Sequence, residues 1–223
     1  DPSGAVLAWK GWSNHDRQTG LGGHLPLQAA PGLNATANEQ ANSFAPFREI
    51  DGQPGFYLGI EWSQAREHKV QLMYYDNRAD DTLFKDGQYG WRTRFFHLSA
   101  HKQLSPQWQV YGQYMNGYTV MDRNFTDNPF QSAYITLAKK QASHRLALRL
   151  EHSRIQDRDS TPQDSNQNTG NSLTLSYAYL LKKSWKLGLE AKLHDSQQRR
   201  RMYWNEPQNA REKQITTSLK YFF

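Results

Sequence analysis

The last segment of the chain, residues 212–223, constrains the fold more than any other part of the sequence. Its side chains alternate between a mostly polar set, which includes Gln214, Ser218 and Lys220, and a mostly apolar set. The apolar set consists of Ile215, Thr217, Leu219, Tyr221 and Phe223. A period of two predicts a β-strand with one apolar face. The alternation lasts for about ten residues, the length that a tilted strand needs to cross a bilayer.

This pattern resembles the C-terminal strand of Gram-negative outer-membrane β-barrels, in which a terminal aromatic residue and alternate apolar residues before it are read by the barrel-assembly machinery. The resemblance implies an assembly signal made of Ile215, Leu219, Tyr221 and Phe223, and a location in the bacterial outer membrane. Outer-membrane lipid and the barrel-assembly machinery would then be partners. Alternation alone is also typical of a soluble β-sandwich or a lipocalin-like barrel, so the rest of the chain has to decide.

Similar alternation recurs along the chain, in segments that are joined by long and short connections in turn. With the terminal segment, the pattern predicts about ten antiparallel strands. The other predicted strands cover residues 5–12, 56–63, 69–75, 91–100, 108–118, 130–138, 144–152, 172–181 and 185–193. Short turns are predicted near Gln64, Ser105, Gln141 and Lys183, and long loops at residues 13–55, 76–90, 121–129, 154–170 and 197–211.

This order of connections favours a transmembrane barrel, because such barrels have short periplasmic turns and long extracellular loops. The strand at 144–152 also places Arg145, Arg149 and Glu151 on one face. Unpaired charge is costly in the apolar core of a soluble barrel, whereas a polar lumen accepts it. The sequence therefore predicts an all-β fold, an antiparallel up-and-down transmembrane β-barrel, with residues 1–223 as a single domain. The loop at 13–55 is expected outside the membrane, and inward folding of this loop is one option.

One strand fits the alternation poorly. In residues 91–100, the apolar set that ends at Ala100 is in phase with Arg92 and Arg94. Either a β-bulge near Phe95 shifts the register, or the two arginines lie above the membrane at the outer rim.

The composition agrees with a membrane barrel and argues against several other classes of protein. Mean hydropathy is only −0.90, yet the chain contains 12 Tyr, 10 Phe and 7 Trp, which suits aromatic girdles at the two membrane interfaces. No apolar run is long enough for a transmembrane helix. Without cysteine there is neither a disulfide nor a thiolate metal site, and no cofactor or metal motif is present. The net charge of +6 is spread along the chain without a nucleic-acid-binding motif, so nucleic acid is not expected as a partner.

The first residues, DPSGAVLAW, show no signal-peptide pattern. We therefore expect a mature form of an exported protein or the C-terminal portion of a larger barrel, because porins commonly have about 16 strands or more.

The whole chain resembles the C-terminal part of porin-like outer-membrane proteins in the rhythm of its hairpins. The resemblance implies a passive channel for small solutes, without enzymatic activity, and leaves a homo-oligomer open. The candidate pore-lining residues are Lys69, Arg145, Arg149, Glu151, Lys186, Glu190, Lys192 and Lys220. Their excess of positive charge would favour anions, since the charges that line a pore set its selectivity. Alternatively, these cations pair with Glu61, Glu151 and Glu190 across neighbouring strands, and the lumen is plugged.

Two other classes of function stay open. Omptin-like outer-membrane proteases carry paired carboxylates and an Asp/His pair at the outer rim, and here Asp80 and Asp81 could act with His194 and Asp195 to activate water. A lipid hydrolase would need a serine that faces a histidine, and the candidates are Ser153 with His152 or His194.

The third class is a structural or lipopolysaccharide-binding barrel. Arg199, Arg200 and Arg201 precede aromatic residues and could bind lipopolysaccharide phosphates through charge-assisted hydrogen bonds. A solvated loop is the simpler interpretation of this segment. No residue is predicted to be catalytic.

Overall fold

The computed structural model describes residues 4, 20, 22–26, 43–65, 67–122, 125–181 and 184–222. Nearly all of the regular structure is β-sheet, and a 3-10 helix covers Arg199–Trp204. The strands are β1 (Leu25–Pro26), β2 (Ser43–Phe44), β3 (Phe56–Gln64), β4 (His68–Asp76), β5 (Phe84–Lys85), β6 (Gln88–Tyr89), β7 (Arg92–Gln103), β8 (Trp108–Met121), β9 (Thr126–Gln141), β10 (His144–Ile155), β11 (Asn168–Leu181), β12 (Trp185–Gln198) and β13 (Asn209–Tyr221).

Nine of these strands form one antiparallel meander in the order β13-β12-β11-β10-β9-β8-β7-β4-β3. The predicted all-β, antiparallel architecture is confirmed, and the first predicted strand, at 5–12, lies outside the described residues. Within the described part of the chain, β3 and β13 each pair with a single neighbour, so the sheet is open there. This part of the chain contains no helix long and apolar enough to cross a membrane.

The two faces of the sheet differ in polarity, as the alternation predicts. On one face, Leu148 lies opposite Leu137 of β9 and Leu175 of β11, and similar apolar pairs continue across all nine strands. We call this apolar face outer and the opposite face inner. Outer side chains are strongly exposed, up to 76% for Ile215. A continuous exposed apolar surface of this kind is typical of a sheet that faces lipid.

The connections define two ends of the sheet. Short connections join β3 to β4, β7 to β8, β9 to β10 and β11 to β12 at what we call the turn end. The connections from β4 to β7, β10 to β11 and β12 to β13 are longer and lie at the opposite, loop end. The prediction of a long loop at 121–129 is wrong, because β8 and β9 continue to pair as far as Met121 and Thr126. Backbone pairing there overrides the polar composition from which a loop was predicted.

The register of β7 decides between the two interpretations of its arginines. Its pairing with β4 and β8 is one-to-one from end to end, so there is no bulge near Phe95. Arg92 and Arg94 are therefore in phase with the outer face, at the loop end. Arg92 forms an ion pair with Asp76 at 3.1 Å, and the Arg94 guanidinium lies 4.3 Å from the centre of the Tyr118 ring.

A small apolar core lies at the loop end. Trp91 and Met121 pack with Leu25 of β1 and Phe44 of β2. The described pieces of the 13–55 segment thus fold onto the sheet, which agrees with the inward-folding option. The β5–β6 hairpin joins this region, because the Gln88 side chain accepts a hydrogen bond from the Ala45 backbone N–H at 2.6 Å.

Candidate functional site

The inner face carries all eight residues predicted to line a pore. Their shared orientation follows from the two-residue period of each strand and from the observed register. Several of them form ion pairs, of which Lys69 with Glu61 joins neighbouring strands as the alternative prediction requires. Lys69 contacts Glu61 at 2.8 Å, and Glu151 lies 3.8 Å from Arg149 and 3.9 Å from Lys192. Glu190 instead accepts a hydrogen bond from Ser176 at 2.8 Å.

Four inner-face cations at the turn end are arranged differently, and we call them the turn-end cation cluster: Lys140, Arg145, Lys186 and Lys220. Lys140 lies directly opposite Arg145 across β9 and β10, and Lys186 lies directly opposite Lys220 across β12 and β13. Among the described residues, no carboxylate lies within 4.0 Å of any of these four cationic groups. Like charges in directly opposed positions destabilise a sheet.

A pocket of about 310 Å³ lies beside these cations. Lys140, Arg145 and Lys186 line it together with Ala138, Ala147 and Ala178, whose short side chains leave the space open. Lys140 was missed by sequence reasoning because the predicted strand ended at Ala138. The observed strand continues to Gln141, which places Lys140 on the inner face.

A second polar site lies nearer the loop end of the inner face. Ser172 of β11 is directly opposite His194 of β12, and the Ser172 hydroxyl is 2.7 Å from Nδ1 of His194. Both residues are buried, with 9% and 2% of their surface exposed. Gly170 makes room for the imidazole, since a Cβ there would lie 2.7 Å from Cε1 of His194. Nε2 of His194 has no hydrogen-bond partner among the described residues.

The structure does not assemble the hydrolase sites predicted from sequence. His194 and Asp195 point to opposite faces, and Asp195 instead binds Arg211 on the outer face at 2.6 Å. Asp80 follows β4, and β7, β8, β9, β10 and β11 lie between β4 and β12 in the sheet.

The predicted pairing of Ser153 with His152 fails for the same geometrical reason. The two residues are adjacent in one strand, so their side chains lie on opposite faces. His152 bonds to the side chain of Asn171 at 2.9 Å on the outer face, whereas Ser153 is buried on the inner face. The serine that bonds to His194 is Ser172, which sequence reasoning missed. The signal for this pair was symmetry, because residues 172 and 194 are equally far in sequence from the turn predicted near Lys183.

Charged residues at the loop end are buried where two connections meet. Arg200 of the 3-10 helix is 8% exposed, and its guanidinium lies 5.2 Å from the centre of the Trp204 ring. Burial lowers the pKa of Arg200 to about 10, and the charge of Asp164 opposes this change. Asp164 is 1% exposed; burial raises its pKa, and the charge of Arg200 opposes that rise. Burial and the neighbouring Asp159 raise the pKa of Asp157 to about 6.

The three arginines predicted to contact lipopolysaccharide are thus in different surroundings. Arg199 is exposed, Arg200 is buried, and Arg201 lies 3.7 Å from Glu212. Of the predicted assembly signal, Ile215, Leu219 and Tyr221 are exposed on the outer face of β13. Phe223 lies outside the described residues.

Comparison with protein-family models and with curated proteins gave no match. Among solved structures, the sheet is similar to OmpTΔL8, a loop L8 deletion mutant of OmpT, an outer membrane protein of Vibrio cholerae. The TM-score is 0.54 and the identity 11%, over 75% of this chain and 53% of that one. The fold is of the outer-membrane β-barrel kind. The chain spans about half the length of this structural neighbour.

The comparison corrects the expectation that the chain is not an enzyme. That expectation depended on a resemblance to porins, whereas the structural neighbour is OmpT, an outer membrane protein. The inner face also holds a hydrogen-bonded serine and histidine. The statement that the chain lacks enzymatic activity is therefore withdrawn.

Proposed function

We propose that the chain forms part or all of an outer-membrane β-barrel whose inner face conducts small anions. The observation that carries this proposal is the contrast between the two faces of one sheet. The outer face is apolar across nine strands and suits lipid, whereas the inner face is polar and carries the turn-end cation cluster. Charged side chains that line a pore set its ion selectivity, so an excess of unpaired cations favours anions.

The proposal includes a single domain over residues 1–223 and a location in the bacterial outer membrane. Lipid contacts the outer face, and small solutes contact the inner face. The ion pairs between Lys69 and Glu61 and between Arg149 and Glu151 reduce the positive charge of the inner face without removing its excess. Among the described residues, no carboxylate lies within 4.0 Å of the cationic groups of Arg145, Lys186 and Lys220.

Planar-bilayer conductance tests the channel. Refolded, heat-modifiable protein is expected to give steady conductance, with a reversal potential in a KCl gradient that shows chloride preference. The Lys186→Gln/Lys220→Gln variant should lose part of that preference. The control is Lys102→Gln/Lys213→Gln, which removes the same charge from the outer face. Silence from folded protein, or equal effects of the two variants, would contradict the proposal.

A second candidate function is hydrolysis, and the Ser172–His194 hydrogen bond favours it. A histidine within hydrogen-bond reach of a serine hydroxyl can remove its proton and activate it as a nucleophile. Glu151 and Glu212 lie in the same row of the inner face, directly opposite Ser172 and His194 respectively. We rank this function second because both residues are buried, and because Nε2 of His194 has no hydrogen-bond partner in the described part of the chain.

An active-site-directed fluorophosphonate distinguishes this candidate from a structural serine. An activated Ser172 should be labelled by the probe, and Ser172→Ala should abolish the label. Ser176→Ala is the matched control, since Ser176 lies on the same face of β11 and also bonds to β12. Folded protein that takes up no label, or equal labelling of Ser172→Ala, would exclude the hydrolase.

A further inference from the structure

We propose that the turn-end cation cluster is a binding site for a compact anion with two or more negative charges, such as a tetrahedral dianion. This inference deepens the anion-channel proposal and rests on it for access to the inner face. It concerns Lys140, Arg145, Lys186 and Lys220, together with the pocket beside them.

The first argument is the placement of like charges. Directly opposed residues in antiparallel strands have Cβ atoms about 5 Å apart, and here two such positions are each occupied by two cations. Cross-strand pairs of like charge destabilise a sheet, and nearby carboxylates could relieve the repulsion. Glu190, on the inner face of β12, accepts a hydrogen bond from Ser176 and, within the described residues, forms no ion pair with the four cations. The cluster therefore retains uncompensated positive charge that a bound anion would neutralise.

The second argument is the contrast with Lys69, at the same end of the same face. Lys69 is compensated by Glu61 at 2.8 Å, so the sheet does place a carboxylate beside a turn-end cation elsewhere. In the described part of the chain, neither strand pair of the cluster has such a carboxylate. On the inner face of the described strands, the cations without a carboxylate within 4.0 Å are thus those of β9–β10 and β12–β13 in the cluster.

The third argument is shape. Between the two cationic pairs, β11 presents Ala178 and β12 presents Gly188 in directly opposed positions. Ala178 lines the pocket of about 310 Å³ beside Arg145 and Lys186 together with Ala138 and Ala147, and these short side chains leave it open. That volume is at the lower limit for small-molecule sites, which suits a compact ligand. The planar guanidinium of Arg145 can bind two oxygens of a phosphate or carboxylate at once, and each lysine contributes a flexible ammonium group.

Binding of inorganic phosphate to detergent-folded protein at low salt, measured by isothermal titration calorimetry, tests the site without any requirement for conductance. Wild-type protein is expected to bind. Lys140→Gln/Arg145→Gln and Lys186→Gln/Lys220→Gln should each weaken binding by about tenfold or more, as the loss of charge-assisted hydrogen bonds implies. Lys69→Gln should change the affinity by no more than about twofold. Heat-modifiable migration on gels verifies that each variant is folded.

Absence of phosphate binding to folded wild-type protein would contradict the site. Equal weakening of binding by Lys69→Gln would also contradict it, since the anion would then be attracted by the overall positive charge of the inner face and not by the cluster. Phosphate binding without any conductance would support the binding site and contradict the channel proposal. Chloride-selective conductance without phosphate binding would contradict the binding site and support the channel proposal.

Discussion

At the loop end, Arg200 and Asp164 are buried and opposite in charge, whereas at the turn end the inner-face cations are more exposed and lie opposite like charges. Arg200 and Asp164 lie near each other in the interior where two loops meet. Lys186 and Lys220 are opposed on neighbouring strands, and no carboxylate of the described residues lies within salt-bridge distance of either. Both ends belong to the same strands and share the same two-residue period. Their difference therefore arises from what the loops cover and from which residues occupy opposed positions.

This difference indicates which region serves stability. Buried charge is tolerated only when it is compensated, so the loop end shows the arrangement expected of a structural region. A retained cross-strand repulsion contributes nothing to stability, and departures from local rules are concentrated at functional sites. The turn end is therefore the better candidate for a functional surface.

The largest expected effect is at Arg200. Arg200→Met keeps much of the apolar contact but removes the charge that compensates Asp164, so we expect a loss of ~3 kcal/mol in the free energy of unfolding. Urea unfolding of protein folded in lipid vesicles measures it. The control is Arg199→Met, at the neighbouring exposed position, for which a change within about 0.5 kcal/mol is expected. Equal effects of the two variants would show that the loop end is not a compensated interior.

A second prediction compares two serines on the inner face of β11. Ser172→Ala leaves Nδ1 of the buried His194 without a partner, which should cost ~1–3 kcal/mol of unfolding free energy. Ser176→Ala removes a bond of similar length to Glu190, but the exposed carboxylate can bind water instead, so a change within about 0.5 kcal/mol is expected. Urea midpoints of the two variants, measured side by side, check the difference. A larger loss of stability for Ser176→Ala would contradict the assignment of the loop end as the structural region.

The sequence predicts the polarity of the two faces well, because it depends only on the alternation of side chains along each strand. Leu146, Leu148 and Leu150 alternate with Arg145 and Arg149, and the register confirms that alternation across the neighbouring strands. Burial at the loop end could not be predicted in this way. It depends on how the loops fold over the sheet, and a polar loop sequence such as residues 156–167 carries no periodic signal.

Contacts between strands were predictable only where a turn could be located. The Ser172–His194 contact follows from symmetry about the turn near position 183, once that turn is known. The hairpin of β8 and β9 shows the opposite case, since Asp127 and Pro129 indicate a loop and yet both pair with β8. Pairing along a neighbouring strand overrides local preference in this segment.

A third prediction concerns pH. The carboxyl pKa of Asp157 is raised from 3.8 to about 6 by burial and by Asp159, so the folded loop binds the proton more tightly than the unfolded chain does. The stabilisation is full below the lower pKa and is lost as pH rises through about 6. Tryptic cleavage after Arg158 should therefore be faster at pH 7 than at pH 5 relative to Asp157→Asn, by at most about tenfold. The exposed Asp122→Asn variant should retain the wild-type pH dependence, and a wild-type rate ratio that does not change with pH would contradict the prediction.

The smallest expected effect is at the turn end, and its sign is opposite to that at Arg200. Lys186→Gln removes one of two opposed cations, so the free energy of unfolding should increase by ~0.2–1 kcal/mol at low salt. Salt screens exposed charges, and the gain should therefore fall as NaCl is raised; saturating phosphate should also remove it if the anion binds the cluster. Lys69→Gln is the matched comparison, because it breaks the ion pair with Glu61 and should lower stability slightly. Urea midpoints at two salt concentrations measure both variants. A loss of stability in Lys186→Gln at low salt would mean that the cluster is not repulsive, and the physical reason for an anion at this site would disappear.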